Sequence, residues 1–310
     1  MDFFLYVLGS GSALPTVKRN PTSQLIKHNN DYILIDCGEG AQLQMRTMHL
    51  PLQSIQHILI SHLHGDHFLG LFGLLSSMHL LGRTKPLNIY SDARLQEIIN
   101  LHLKVSNTRL NYELKIHPLN YETKHEIFST RNLKVYSFPL KHRIPTCGFL
   151  ITEKTKEPRI DKLKIKEHEL PLEAYPILKS GKDYKDLTGV IYKPEHYTIP
   201  AREPLSYAYC SDTIFDRSLK DYISGATVLY HESTFLEDHK IRAAETFHST
   251  ATEAGIVAKD SLVKLLLLGH YSARYANQEA FVREAKKHFE NVLATSDRMT
   301  LNINTLEVAT

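Results

Sequence analysis

The chain of 310 residues is 42% hydrophobic and carries a formal net charge of +3, from 37 Lys and Arg against 34 Asp and Glu. That length can bury one large core or two modest ones, and the near balance of charge falls far short of the excess that by itself marks a nucleic-acid binder. Three cysteines without C-x-x-C spacing, Cys37, Cys147 and Cys210, argue against a disulfide framework or a thiolate zinc site and for a reducing, cytoplasmic setting.

The amino terminus, residues 1–8, has Asp2 where a signal peptide needs basic residues, and it reads as a first strand running into Gly9-Ser10-Gly11-Ser12. No apolar stretch approaches the roughly 18 residues of a membrane span, so a soluble protein without a membrane partner is expected. Short apolar runs predict strands over residues 4–9, 22–27, 32–37, 57–61 and 87–90. Helical spacing marks residues 39–49, 67–81 and 93–103. A second series of strands follows over 133–138, 147–152, 206–210, 227–231 and 264–269, with helices over 252–260 and 278–288. Mixed sheets with helices outside them, an α/β architecture, satisfy both series.

Residues 153–204 break this rhythm. They are rich in Lys, Glu and Pro, and although Arg159, Lys162 and Lys166 could share a helix face, Glu167, Glu169, Glu173, Asp183 and Asp186 nearly cancel them. The expectation from charge is a solvated excursion or lid.

The run His62-Leu63-His64-Gly65-Asp66-His67 puts three imidazoles and a carboxylate into six positions between a predicted strand and a predicted helix. These are the N and O donors that zinc, and less selectively other first-row metals, accept, and Gly65 offers a turn conformation that other residues resist. Isolated histidines such as His57, His79, His102 and His168 read instead as surface or satisfied core residues. A hydrolytic centre needs more donors than one loop provides. His142, Asp212 and His270 each close an apolar strand at its carboxyl end and are the candidates.

These residues carry a resemblance to the metallo-β-lactamase superfamily, whose H-x-H-x-D-H signature stands here as His62 to His67. Within it the chain is most similar to the tRNA 3′-processing endonucleases of the ribonuclease Z family. Residues 8–15 resemble that family's opening glycine segment and residues 35–42 its next motif. Gly9 and Gly11 lack the third glycine of a dinucleotide fingerprint. Later, His231-Glu232-Ser233-Thr234-Phe235 is similar to H-E-A-T-F, His248-Ser249-Thr250 is an intact H-S-T, and His270 is followed by Ser272-Ala273-Arg274-Tyr275.

The resemblance implies a single αββα sandwich over residues 1–310, two mixed sheets packed together with helices outside, interrupted by a flexible arm at about 153–204. It implies one metal held by His62, His64 and His142, a second by Asp66, His67 and His270, and Asp212 between them. The ions would be two Zn2+ per subunit, or Mn2+ or another divalent metal. A bridging carboxylate offsets repulsion between cations about 3.5–4 Å apart. Asp36 would orient a ligand histidine. Asp66 would serve as general base, His248 as transition-state stabiliser or proton donor, and Glu232 as its carboxylate partner. Lys18, Arg19 and Arg274, in motif loops, would hold phosphates. The substrate would be precursor tRNA, cut after the discriminator nucleotide to leave a 3′-hydroxyl, with the arm gripping the tRNA elbow across a homodimer. The arm's usual glycine-proline tip is not evident; residues 170–176 stand roughly in its place. Competing expectations are another hydrolase of the superfamily, such as a small-molecule phosphodiesterase, lactonase or thioesterase, or a non-catalytic RNA-binding relative.

Overall fold

Along Phe3–Gly9 the buried Phe3, Leu5 and Val7 alternate with the half-buried Phe4 and Tyr6, the period of a strand with one face on a core. This strand lies within an eight-stranded sheet of the computed structural model, which describes residues 2–309. From one edge to the other the order is Glu307–Val308, Thr300–Asn302, Phe3–Gly9, Ser23–His28, Asp31–Ile35, His57–Leu59, Leu87–Ser91 and Leu114–Pro118. Pairing is antiparallel as far as Asp31–Ile35 and parallel beyond it. A seven-stranded sheet runs Val292–Ala294, Leu265–Gly269, Val228–Glu232, Ser206–Cys210, Thr146–Glu153, Leu133–Leu140 and His125–Ser129. Its first four strands are parallel.

The two sheets bury one shared core, in which Phe3, Leu5, Val7, Ile33 and Ile35 meet Phe149, Tyr207, Tyr209, Tyr230 and Leu267. The outer face of the first sheet packs Leu34, Ile58 and Ile89 against the helices Ala41–Thr47, Gly70–Leu80 and Arg94–Val105. The outer face of the second packs Leu229, Leu266 and Leu268 against Ala251–Asp260 and Glu279–Ala285. The result is the expected αββα sandwich. With both faces covered, Leu265–Gly269 is buried at every position, as parallel strands of this kind are. Five strands of these two sheets have no counterpart in the sequence reading: Leu114–Pro118, His125–Ser129, Val292–Ala294, Thr300–Asn302 and Glu307–Val308. All but Thr300–Asn302 are sheet edges, where one side of the strand has no neighbour and the apolar period weakens.

The chain divides into two compact units, one running to Ile151 and resuming at Leu205, the other Thr152–Pro204. The second is more than a solvated excursion: Ile165, Leu170, Ala174, Leu178, Tyr184 and Tyr197 form a core of its own. Two short ladders pair Arg159–Ile160 with Thr198–Ile199 and Tyr184–Lys185 with Ile191–Tyr192. The helix Lys162–Glu167 starts on Asp161, whose side chain accepts from the backbone N–H groups of Leu163 and Lys164. The apolar residues of this unit are spread over seven short elements, none long enough for either period to register.

Candidate metal centre

The site is built from strand ends. Asp36 follows Asp31–Ile35, Asp212 lies just past Ser206–Cys210, and His270 follows Leu265–Gly269. All three have left-handed backbone, with φ of 53°, 58° and 59°, which turns each side chain off its strand. Such a conformation costs on the order of 1–3 kcal/mol and is least unfavourable for Asp, Asn and His. Gly65, by contrast, is not among the residues of positive φ. It starts the short helix Gly65–Phe68 in ordinary backbone, so the expectation of a special glycine turn there is corrected. The glycine that matters is Gly70, whose N–H donates to the Cys37 carbonyl at 2.9 Å. A Cβ there would stand 2.1 Å from the Gly38 carbonyl oxygen, so only glycine lets the helix Gly70–Leu80 seat so close to residues 37–38.

The structure brings His62, His64, His142 and Asp212 into one group and Asp66, His67 and His270 into another, the donor atoms within each lying within 4.8 Å of one another. Asp212 faces both. Its Oδ2 is 3.5 Å from His62 Nε2 and 3.7 Å from His142 Nε2, while Oδ1 is 3.3 Å from His67 Nε2 and 3.0 Å from His270 Nε2. Asp66 Oδ2 lies 3.5 Å from His67 Nε2 and 3.6 Å from His270 Nε2, and accepts from the Ala13 N–H at 2.9 Å. His248 also comes within that reach of Asp212 and His270.

The far sides of the rings decide what faces inward. His67 Nδ1 donates to Asp36 Oδ2 at 2.8 Å, and His142 Nδ1 donates to the Phe247 carbonyl at 2.9 Å. Ser61 Oγ gives its hydrogen to Asp36 Oδ2 at 2.9 Å, so His62 Nδ1, 3.0 Å away, is the donor toward Ser61. Thr234 Oγ1 likewise gives its hydrogen to Glu232 Oε2 at 2.6 Å and accepts from His270 Nδ1 at 2.9 Å. In its neutral form each of these rings therefore turns a lone pair on Nε2 into the cluster. His62 Nε2 and His142 Nε2 lie 3.0 and 3.2 Å from His64 Nδ1, which carries at most one proton to share between them. Among the described residues, the buried Nε2 atoms of His67 and His270 make no well-aligned hydrogen bond, although carboxylate oxygens lie 3.0–3.6 Å away. Buried polar atoms are ordinarily satisfied, and converging lone pairs repel unless a cation sits among them. The donor set fits divalent metal.

The field agrees. Burial holds His62, His64 and His142 below the usual imidazole range. Burial also opposes charge on His67 and His270, yet the surrounding carboxylates, Asp212 foremost, outweigh it and push His270 up to about 10. A field that holds protons on buried rings is one that attracts a cation. Burial raises Asp66 and Asp212, but the neighbouring histidines outweigh it and keep both carboxylates ionised.

Beside the cluster, His248 Nδ1 is 2.8 Å from Glu232 Oε1. Glu232 is fully buried and also accepts from the N–H groups of Thr213 and Thr234, at 3.0 and 3.1 Å. Burial works against charge on both partners, and their mutual attraction overrides it, lowering Glu232 and raising His248. Phe247, left-handed at φ 59°, ends the helix Lys240–Thr246 and turns the chain so that the His248 N–H bonds back to the Ala243 carbonyl at 2.9 Å. Two residues on, Thr250 and Glu253 form a reciprocal capping box that starts Ala251–Asp260.

A cavity of about 430 Å3 opens over these donors, lined by Ala13, Asp66, His142, Asp212, His248 and His270 among others. None of the three cations nominated as phosphate contacts lines it. Arg19 corrects that expectation: only 7% exposed, its Nη2 donates to the carbonyls of Ser272 and Tyr275, tying its own loop to the segment after His270. Arg274 lies over the Phe235 ring, 5.1 Å from its centroid, and Lys18 is exposed. Arg143, Arg242 and Thr246 line the cavity instead; nothing local in the sequence marks them. Ser61, Tyr209 and Thr234 were missed as orienting groups, although the H-E-A-T-F likeness already pointed at Thr234. Asp297 was missed too: its carboxylate accepts from the N–H and Oγ of Ser10 and from the N–H and Nδ2 of Asn20, at 2.7–3.0 Å.

A family model described as Anti-Pycsar protein Apyc1 matches residues 3–157, half of the chain, and assigns that half to the corresponding family. The crystal structure of human tRNase Z, short form, superposes with a TM-score of 0.69 at 24% identity, covering 97% of this chain and 99% of that one, and shows a shared fold. Ribonuclease Z of Porphyromonas gingivalis is 40% identical over 301 residues, 97% of this chain and 99% of the relative. Ribonuclease Z of Cytophaga hutchinsonii is 44% identical over 292 residues, 94% and 93% of the two chains. With such identity over nearly the whole length, beneath the fold and the His and Asp cluster just described, the chain belongs to the ribonuclease Z family.

Proposed function

We propose that this protein is a metal-dependent endoribonuclease that removes 3′ trailers from precursor tRNA, cutting after the discriminator nucleotide. The observation that carries the reading is the Glu232–His248 pair, 2.8 Å apart, set against the seven-residue cluster in a chain of this family. His62, His64 and His142 would hold one ion, Asp66, His67 and His270 the other, with Asp212 shared. Two Zn2+ suit these N and O donors, and Mn2+ is the alternative occupant. When bound, the ions supply Lewis acidity toward a phosphoryl oxygen and bring the pKa of water toward neutrality.

The protein's own groups do the rest. Asp66, fixed by the Ala13 N–H, orients the attacking water and takes its proton. The water oxygen bonds to phosphorus and the P–O3′ bond breaks. His248 passes a proton to the departing 3′ oxygen, Glu232 holding Nδ1 so that Nε2 makes the transfer. The tRNA keeps a 3′-hydroxyl and the trailer keeps the phosphate.

The unit Thr152–Pro204, with basic side chains at Arg159, Lys162 and Lys179 around a hollow in its surface, would contact the tRNA elbow. A homodimer is supported by the apolar side chains exposed on neighbouring helices, Leu80, Leu101 and Val105 being 81%, 61% and 78% exposed. Among the described residues no helix is long and apolar enough to cross a membrane, and the three buried free thiols suit a reducing cytoplasm. Incubating the zinc-loaded protein with a precursor tRNA carrying a 3′ trailer, and mapping the cut to one nucleotide, tests the reading. Cleavage of bis(p-nitrophenyl) phosphate or a thioester without cleavage of the tRNA would replace it with another hydrolase activity.

A further inference from the structure

A cleft that takes a polyanion has an electrostatic difficulty here. Its floor carries Asp66 and Asp212, with Glu232 directly behind. Metal offsets that charge at the scissile phosphate, but the neighbouring phosphates need cations of their own. Among the described residues, Arg143 and Arg242 are the only Lys or Arg side chains that line the cavity.

Their placement is specific. Arg143 follows His142, whose ring is latched to the Phe247 carbonyl at 2.9 Å. Arg242 and Thr246 stand four apart on the helix Lys240–Thr246, so both share the face that meets the cavity. Glu245 touches both guanidinium groups: its carbonyl accepts from Arg143 Nη2 at 3.4 Å, and its carboxylate lies 3.3 Å from Arg242 Nη1. These contacts are long and solvated, with the Arg242 side chain 57% exposed. They orient the two forks while leaving most of their donors open.

We infer that Arg143 and Arg242 form a phosphate clamp on one wall of the catalytic cleft. It holds the backbone phosphate immediately 5′ of the scissile one. The side follows from the mechanism on which this inference rests: the helix bearing Arg242 leads through Phe247 into His248, the donor to the departing 3′ oxygen, so that wall faces the body of the tRNA. Guanidinium forks bind phosphate in bidentate fashion and read no base, so the clamp sets register without sequence preference.

The test compares wild type with the double variant Arg143→Gln/Arg242→Gln, both zinc-loaded, on precursor tRNA and on bis(p-nitrophenyl) phosphate. The clamp requires the loss in kcat/KM to be at least about tenfold greater on the tRNA, carried by KM. It also requires the salt dependence of log kcat/KM to flatten by about 1 to 2. The Arg→Lys pair should recover part of the loss, because charge returns without the fork. An uncharged methylphosphonate at that 5′ phosphate should penalise the wild type and add nothing in the Gln variant. Equal losses on both substrates, an unchanged salt slope, or equal methylphosphonate penalties in the two proteins would overturn the clamp while tRNA cleavage itself stands. A wild-type protein that hydrolyses the small diester and leaves the tRNA intact would overturn the nuclease reading, and the clamp with it.

Discussion

Asp36 shows how much one side chain organises. Its carboxylate accepts from the Ser61 N–H at 2.8 Å, Ser61 Oγ at 2.9 Å, Tyr209 OH at 2.7 Å and His67 Nδ1 at 2.8 Å, all in a fully buried site. Through Ser61 it also sets the tautomer of His62. Asp36→Ala would leave four buried donors without an acceptor, so thermal unfolding should show a loss of about 3–5 kcal/mol. Asp36→Asn keeps the shape but loses the charge, and titration of the apoprotein should show zinc affinity down about 10- to 100-fold. His248→Ala removes no ligand assigned above. It should retain about two zinc ions per chain by metal analysis while kcat on precursor tRNA falls about 10²- to 10⁴-fold; full activity would refute the proton-donor role.

Elements matter through what they pin. The loop over residues 10–20 carries the Ala13 N–H that meets Asp66, with Ala13 itself left-handed at φ 57°. Both ends of that loop, Ser10 and Asn20, hang on Asp297, 287 and 277 residues away. Asp297→Ala should therefore lower kcat about tenfold or more while the zinc content holds, since the loop loses its anchor but no ligand is touched. The helix Ala251–Asp260 depends on its capping box in the same local way. Thr250→Ala removes the side-chain bond to the Glu253 N–H, 3.2 Å long, and should cost about 1 kcal/mol in denaturant unfolding.

At the scale of the molecule, the two sheets also meet in a stack of rings. His57 of the first sheet lies 4.0 Å from Phe128 of the second at an 11° tilt, and Tyr90 stacks on both Phe128 and His117. Burial, and then the His117 charge, push His57 down to about 4. Between about pH 4 and 6.5 the unfolded chain binds a proton there that the folded chain refuses, so stability rises with pH across that window and is lost on acidification. The loss amounts to about 2–3 kcal/mol at most. His57→Gln should flatten the acid limb of a stability profile measured over that range. The unit Thr152–Pro204 supplies a second test at this scale, because Arg202 Nη2 lies 2.7 Å from Glu153 Oε1 and brings its two ends together. Replacing residues 155–201 with a short glycine linker should raise KM for precursor tRNA while leaving hydrolysis of bis(p-nitrophenyl) phosphate largely intact.

Several features are written in the chain locally. The compact run His62 to His67 declares its donors by type and spacing, and a polar residue closing a run such as Leu265 to Gly269 announces itself because buried strands are uniformly apolar. The order of strands and helices is legible for the same reason: period and burial are properties of neighbours in sequence. Edge strands fade because half of each has no core to face, and the small core of Thr152–Pro204 is divided among elements too short to show a period. Tertiary structure alone decided which distant groups meet. It turned Arg19 inward onto two carbonyls, brought Arg143 and Arg242 to the cleft, hung the glycine loop on Asp297, and moved the conformational burden from Gly65 to Asp36, Asp212 and His270. A side chain's electrostatic role depends on what packs within a few ångströms of it, and for long, flexible cations on a surface no local pattern encodes that.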